Sequence, residues 1–115
     1  MASFIPAQGD FISLSFDPQS GHEQKGRRPA LVVSKSLFNR STGLAIVCPV
    51  TSTWRGYPFH VAVPEESSLT GVIMVEQVKS VDYHARSGKR IEPASSELLA
   101  EVLSILDACL YEPVS

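Results

Sequence analysis

Apolar and polar positions change period once along this chain. Up to about residue 82 they alternate or come in short bursts, and from residue 97 they recur every three or four positions. In DFISLSF (10–16), Phe11, Ser13 and Ser15 oppose Ile12, Leu14 and Phe16, the signature of a half-buried strand. Asp17-Pro18 ends that strand, and Gly21 and Gly26 bracket a loop. PALVVS (29–34) reads as a near-continuous buried strand and LAIVCPV (44–50) as another. FHVAV (59–63) is a fourth, with Phe59, Val61 and Val63 on one face, and GVIMVEQVKSV (71–81) a fifth that turns polar halfway. Asn39–Gly43 and Arg55–Pro58 carry the residue types of connections. In ELLAEVLSILDACL (97–110), Leu98, Leu99, Val102, Leu103, Leu106 and Leu110 follow helical spacing. Ser95 or Ser96 offers a cap, acids crowd the first turns as the helix dipole favours, and Pro113 follows the end. The pattern predicts a mainly β fold with a C-terminal α-helix packed across a small, strongly bent antiparallel sheet or open barrel.

The length of 115 residues predicts a single domain spanning 1–115. Hydrophobic content of 43% and charged content of 19% describe a globular chain rather than a disordered one. No apolar run approaches the ~20 residues of a membrane span. The opening MASFIPAQGD lacks the cationic and apolar regions of a signal peptide, so a cytoplasmic location is expected. Cys48 and Cys109 fall in a strand-like and a helix-like run and read as free buried thiols, neither a zinc site nor a disulfide framework. The net charge of −2 hides an asymmetry. Residues 1–90 hold all ten Lys and Arg against seven acids, or +3, whereas residues 91–115 hold five acids and no cation, or −5. A solvated acidic helix accounts for this, and so does a polyanion ligand that meets the first part and avoids the last.

No phosphate-cradling glycine loop, no Gly-x-Ser-x-Gly elbow and no metal-ligand spacing among His22, His60 and His84 is present. His60 lies opposite Phe59 and Val61 on its strand and is expected to face solvent, and His84 looks equally ordinary. The loop GHEQKGRRPALVVS (21–34) is different, because His22, Glu23, Lys25, Arg27 and Arg28 offer acid, base and cations within seven residues. Pro29 restricts the backbone of Arg28 to an extended form, and Ala30 begins the buried strand. A guanidinium held there suits a phosphate, or equally a structural pair with Glu23 or Asp17. PVTSTWRG (49–56) brings three hydroxyls, the single tryptophan and a cation out of a buried strand. Those elements hold single-stranded nucleic acid by backbone contact and base stacking. The plainer alternative is a threonine-rich turn with Trp54 folded onto the core.

These residues resemble the MazF/PemK family of bacterial toxin ribonucleases. The resemblance is carried by GDFISLSFDPQSGHEQKGRRPALVVS, FNRSTG, CPVTSTWRGYPFHV, TGVIMVEQVKSVD and ARSGKRIEP, in the family's order across most of residues 9 to 93. Its most specific part is Gly-x-Glu-Gln-x-Gly-x-Arg-Pro: Gly21, Glu23, Gln24, Gly26, Arg28 and Pro29. The resemblance implies a homodimeric SH3-like small β-barrel of the CcdB/Kid/MazF type. It also implies cleavage of single-stranded RNA (mRNA) at a short sequence without metal or other cofactor, and neutralisation by a cognate MazE-like antitoxin with an acidic, disordered tail. Attack by the RNA's own 2′-hydroxyl on the adjacent phosphorus needs a base, an acid and positive charge for the developing phosphorane.

Carried over residue by residue, Arg28 matches the family's phosphate-contacting arginine and Thr51 its catalytic threonine. Glu23 is the candidate base, and His22 matches a histidine that stabilises charge in PemK-type members. Those members also carry an arginine and an aspartate where this chain has Met74 and Glu76. Met74 cannot donate a proton, so the PemK-type pair is incomplete and Glu76 stands only as an alternative base. Phe16, Gln24, Lys25, Trp54, Arg55, Gln77 and Lys79 lie in segments resembling the family's substrate groove. Two other classes share this kind of fold: a gyrase poison of the CcdB type and a non-catalytic binding module. The first is disfavoured by the chain's ending LYEPVS, which lacks the Trp, Gly and Ile of the gyrase-contacting helix end. The second is disfavoured by Glu23, Arg28 and Thr51 together.

Overall fold

The computed structural model describes residues 4–15, 26–54 and 56–113. Seven antiparallel strands form its sheet: β1 (Asp10–Ser15), β2 (Arg27–Val32), β3 (Leu44–Thr51), β4 (His60–Ala62), β5 (Val72–Met74), β6 (Lys79–Asp82) and β7 (Lys89–Pro93). Two α-helices accompany them, α1 (Ser36–Thr42) and α2 (Ser96–Leu110). The strands run in the order β4-β5-β3-β2-β1-β7, and β6 also pairs with β3. Among the described residues β4 and β7 do not pair with each other, so the barrel is open.

β3 is the axis of the molecule. One of its edges pairs with β2 through Ala30↔Pro49, Leu31↔Cys48 and Val32↔Val47. The other edge is shared, with β6 beside Leu44–Val47 and β5 beside Val50 and Thr51. The polar half of GVIMVEQVKSV is therefore not one strand with β5. A 3-10 turn, Val75–Gln77, breaks the run so that both halves can follow a bent β3.

Strand alternation sorts the core into two clusters on opposite faces. Phe11, Leu31, Cys48, Val50, Ile73, Leu98 and Val102 meet on the face covered by α2. Ile12, Leu14, Ala30, Val32, Ala45, Val47, Val81 and Tyr83 meet on the other. Helix α2 forms as its spacing predicts, and Ser95 caps it by accepting the Leu98 N–H at 3.1 Å.

Three expectations need correction, and one strand was not foreseen. Asn39–Gly43 is not a simple connection: most of it lies in α1, which ends on Gly43 in the left-handed region at φ 75°. β7 carries no sequence pattern of its own and forms as an exposed edge against β1. β4 begins at His60, which leaves Phe59 exposed in a turn before it. Cys48 is buried as expected, but Cys109 is exposed because it falls on the outer side of α2.

Candidate active site

The face away from α2 is not sealed at one end. Residues that continue its register there are Arg28, two before Ala30, Thr51, four after Val47, and Lys79, two before Val81. With Pro49, Val50, Met74, Gln77 and Arg86 they line an open cleft of about 320 Å³. The same alternation that buries Ala30, Val47 and Val81 thus delivers two cations and a hydroxyl to one concavity. Arg86 arrives from the turn between β6 and β7, its Nη1 donating to the Ser15 carbonyl at 3.0 Å. Among the described residues, the cleft walls carry three cations, an amide and a hydroxyl, and no carboxylate. Such a surface favours an anion, and its arginines suit the paired oxygens of a phosphate.

The two adjacent arginines of β2 divide their work. Arg27 donates from Nε to Ser13 Oγ at 2.9 Å and from Nη2 to the carbonyls of Ser13 and Ser87 at 3.0 and 2.7 Å, tying β1 to the β6–β7 turn. Arg28 points to the other face, is exposed, and makes no hydrogen bond or ion pair with a described residue. Thr51 Oγ1 accepts the Thr53 N–H at 3.2 Å, which turns the chain out of β3. Gly71 lets β5 approach there: a Cβ on it would lie 2.6 Å from the Thr51 carbonyl oxygen.

Phe16, His22, Glu23, Gln24, Lys25 and Arg55 lie outside the described residues. Of the described residues near them, Ser15 pairs with Arg27 and Leu14 with Arg28. Arg28, Thr51, Gln77 and Lys79 come together in the cleft. Trp54 is 58% exposed on the chain leaving Thr51, as a stacking platform requires and a core residue does not. Glu76 is not among the lining residues: its Oε2 lies 3.0 Å from His60 Nε2.

His60 is the clearest departure from expectation. It is buried, with its ring 4.9 Å from that of Tyr57 and 6.3 Å from that of Trp54. Alternation puts it opposite Val61, as read from sequence, but the loop between β3 and β4 folds its aromatic rings over that face. The carboxylate of Glu76 also acts on Cys48, whose thiol is pushed up to about 12, first by burial and then by that negative charge. Sequence reasoning missed Arg86 and Pro49 as cleft residues. The segment ARSGKRIEP contributes to the family resemblance, but nothing local says that its turn folds back to Ser15.

A larger cavity of about 740 Å³ lies between β7, the start of α2 and the 64–67 segment, on the α2 side of the sheet. Glu66, Glu92 and Glu97 line it, which makes it a poor place for a phosphate. Hydrogen bonds from Ser67 and then Ser68 hold the Glu92 carboxyl below its usual range. Among the described residues, no three His, Cys, Asp or Glu side chains converge as metal ligands would, and no helix is long and apolar enough to cross a membrane.

Comparison with known proteins identifies relatives of this chain. The profile of the PemK-like, MazF-like toxin of type II toxin-antitoxin system matches residues 7–110. The chain is 42% identical over 109 residues to the endoribonuclease toxin ChpB of Escherichia coli (strain K12), covering 88% of this chain and 90% of that protein. It is 34% identical over 109 residues to the endoribonuclease toxin MazF of the same strain, covering 92% and 97%. Among solved structures, MazE-MazF (Form-II) from Deinococcus radiodurans matches with a TM-score of 0.84 and 35% identity, covering 96% of this chain and 100% of that chain. MazF (Form-I) from the same organism matches at 0.83 and 42%, covering 94% and 98%.

Proposed function

The chain belongs to the PemK-like, MazF-like toxins of type II toxin-antitoxin systems; it is an endoribonuclease toxin, and we propose that it cuts single-stranded RNA in the cleft that holds Arg28 and Thr51. The observation that carries this reading is the make-up of the cleft: Arg28, Lys79 and Arg86 beside the Thr51 hydroxyl and the Gln77 amide, with no carboxylate among the described residues that line it.

In this reading the 2′-oxygen of the substrate attacks the adjacent phosphorus and the P–O5′ bond breaks, leaving a 2′,3′-cyclic phosphate and a 5′-hydroxyl. The nucleophile belongs to the substrate, so DNA is not cut. The protein's share is alignment, proton transfer and charge. Arg28 neutralises the charge that grows on the non-bridging oxygens, a role that suits a guanidinium better than proton donation. Thr51 donates to a phosphate oxygen or aligns the nucleophile. Gln77 and Lys79 hold the neighbouring nucleotide, and Trp54 stacks on a base. Glu23 serves as base and His22 as acid or charge stabiliser, on the segment that joins Ser15 to the strand carrying Arg28. Phe16, Gln24, Lys25 and Arg55 extend the same RNA surface. Glu76 fits the role of base poorly, because its carboxylate is engaged by His60.

The same reading includes a homodimer acting in the cytoplasm, as one domain over residues 1–115. It also includes inhibition by a MazE-like antitoxin, whose acidic tail would compete with RNA for the cationic cleft. The solved MazE-MazF complexes support that partner.

The test is cleavage of a long single-stranded RNA in excess EDTA, beside Arg28→Ala and Thr51→Ala. The expected result is discrete sites ending in cyclic phosphate, with kcat reduced by about 10²–10³ in Arg28→Ala, the loss typical of one charge-stabilising donor. An RNA left whole by the wild-type protein in EDTA would remove the metal-independent route and make gyrase the next substrate to try.

A further inference from the structure

The reading above gives His60 no task, yet the structure spends much on holding it. Its side chain is 1% exposed, and among the described residues its Nδ1 is the only fully buried side-chain nitrogen or oxygen with no hydrogen-bond partner. Burying an imidazole in this way is costly, so its position calls for a reason. Nε2 lies 3.0 Å from Glu76 Oε2, in the 3-10 turn whose neighbours Met74 and Gln77 line the cleft. The ring lies under Tyr57 and Trp54, on the loop that leaves Thr51. Two backbone bonds close the same unit: the His60 N–H donates to the Tyr57 carbonyl at 3.1 Å, and the Val75 N–H donates to the Phe59 carbonyl at 3.1 Å. His60 thus joins the two borders of the cleft, a turn on one side and an aromatic loop on the other. The titratable groups around it are Glu76 on the turn, the Tyr57 hydroxyl on the loop, and the buried Cys48 thiol of β3 beyond Glu76.

We propose that His60 is a positioning residue for RNA binding: through Glu76 it fixes the turn that presents Met74 and Gln77, and its ring seats Trp54 and Tyr57 at the rim of the cleft. This rests on the cleft being the RNA site. Because the bonds and ring contacts of His60 go to Glu76, Tyr57 and Trp54 and it does not line the cleft, its loss is felt in substrate affinity and not in the bond-breaking step.

The single tryptophan supplies a direct readout of the seating. The Trp54 indole is expected to move more freely in His60→Leu than in the wild type, seen as a larger fast component in its fluorescence anisotropy decay. For function, KM and kcat are measured alongside Kd for an RNA made uncleavable by a 2′-deoxy nucleotide at the cut. His60→Leu is expected to raise KM and Kd about tenfold, with kcat within about twofold, a loss comparable to a charge-assisted hydrogen bond. His60→Gln keeps a donor within reach of Glu76 and should recover most of the affinity. Should His60→Leu fail to fold, His60→Asn replaces it, polar but too short to reach Glu76.

A Trp54 anisotropy decay unchanged in His60→Leu overturns the seating. So does a His60→Leu that binds RNA as tightly as the wild type, or one that loses kcat with KM unchanged. Arg28→Ala separates the premise from the inference: if that variant cleaves normally, the cleft itself is wrong. If it is inactive while the His60 variants behave as wild type, only the positioning role falls.

Discussion

Thr51 owes its place to a glycine whose role the sequence pattern does not show. Gly71 sits at φ 138°, where side chains are rarely tolerated, and a Cβ there would meet the Thr51 carbonyl at 2.6 Å and Val50 Cγ1 at 3.0 Å. Neither contact can yield cheaply, because one is backbone and the other lies in the core beside it. Gly71→Ala is therefore expected to cost about 1–3 kcal/mol in urea unfolding, and to lower kcat/KM further, measured where the variant is still folded. Gly43 provides the control. It also has a positive φ, 75°, but a Cβ there meets nothing within 4 Å. Gly43→Ala should lose about 1 kcal/mol and keep its activity. Equal activity in the two variants would show that Gly71 does not position Thr51. Arg27 and Arg28 make a related point. The sequence leaves Arg28 open to a structural role, whereas in the structure the neighbouring Arg27 ties Ser13 to Ser87 and Arg28 is left facing the cleft.

At the scale of elements, α2 and the cleft lie on opposite faces of the sheet, so they should be separable by mutation. Ser95→Ala removes the acceptor for the Leu98 N–H and is expected to cost about 1 kcal/mol. Cleavage per folded molecule should stay at the wild-type rate, checked by activity at a temperature well below both unfolding midpoints. A matching loss of activity would mean that α2 also shapes the cleft. Helix α2 was legible in the sequence because Leu98 and Val102 bury one stripe of it. The strands β1 to β3 were legible because their alternation serves two cores at once. Helix α1 was not, since its one buried residue is Asn39, held by bonds to Pro6 and Ser34 that are distant or local but leave no hydrophobic period. The edge strand β7 was equally silent: its residues are largely exposed and it is defined by β1, not by its own pattern. The site divides the same way. Arg28 and Thr51 could be read from local context and resemblance, but His60 could not, because its burial depends on Glu76 and on two rings folded across it.

At the scale of the whole molecule, the charge asymmetry of the chain becomes an asymmetry of faces. Arg28, Lys79 and Arg86 line the cleft on the side away from α2, while Glu97, Glu101 and Asp107 are exposed along α2 on the other. The sequence alone was equally compatible with a solvated acidic helix. The fold adds that the acids stand behind the sheet, where they do not oppose a polyanion entering the cleft. Binding of an uncleavable RNA should then follow counterion release, with log affinity falling linearly against log salt by about 0.7 per phosphate neutralised on a single strand. If each of the three cleft cations meets one phosphate, the slope is about −2, and Lys79→Ala makes it shallower by about 0.7. Glu101→Gln and Asp107→Asn should leave the slope within error of the wild type, because they alter the far face. The measurement is Kd at a series of salt concentrations for the wild type and these three variants. A slope that ignores Lys79 but responds to the helix acids would put the RNA on the opposite side of the sheet.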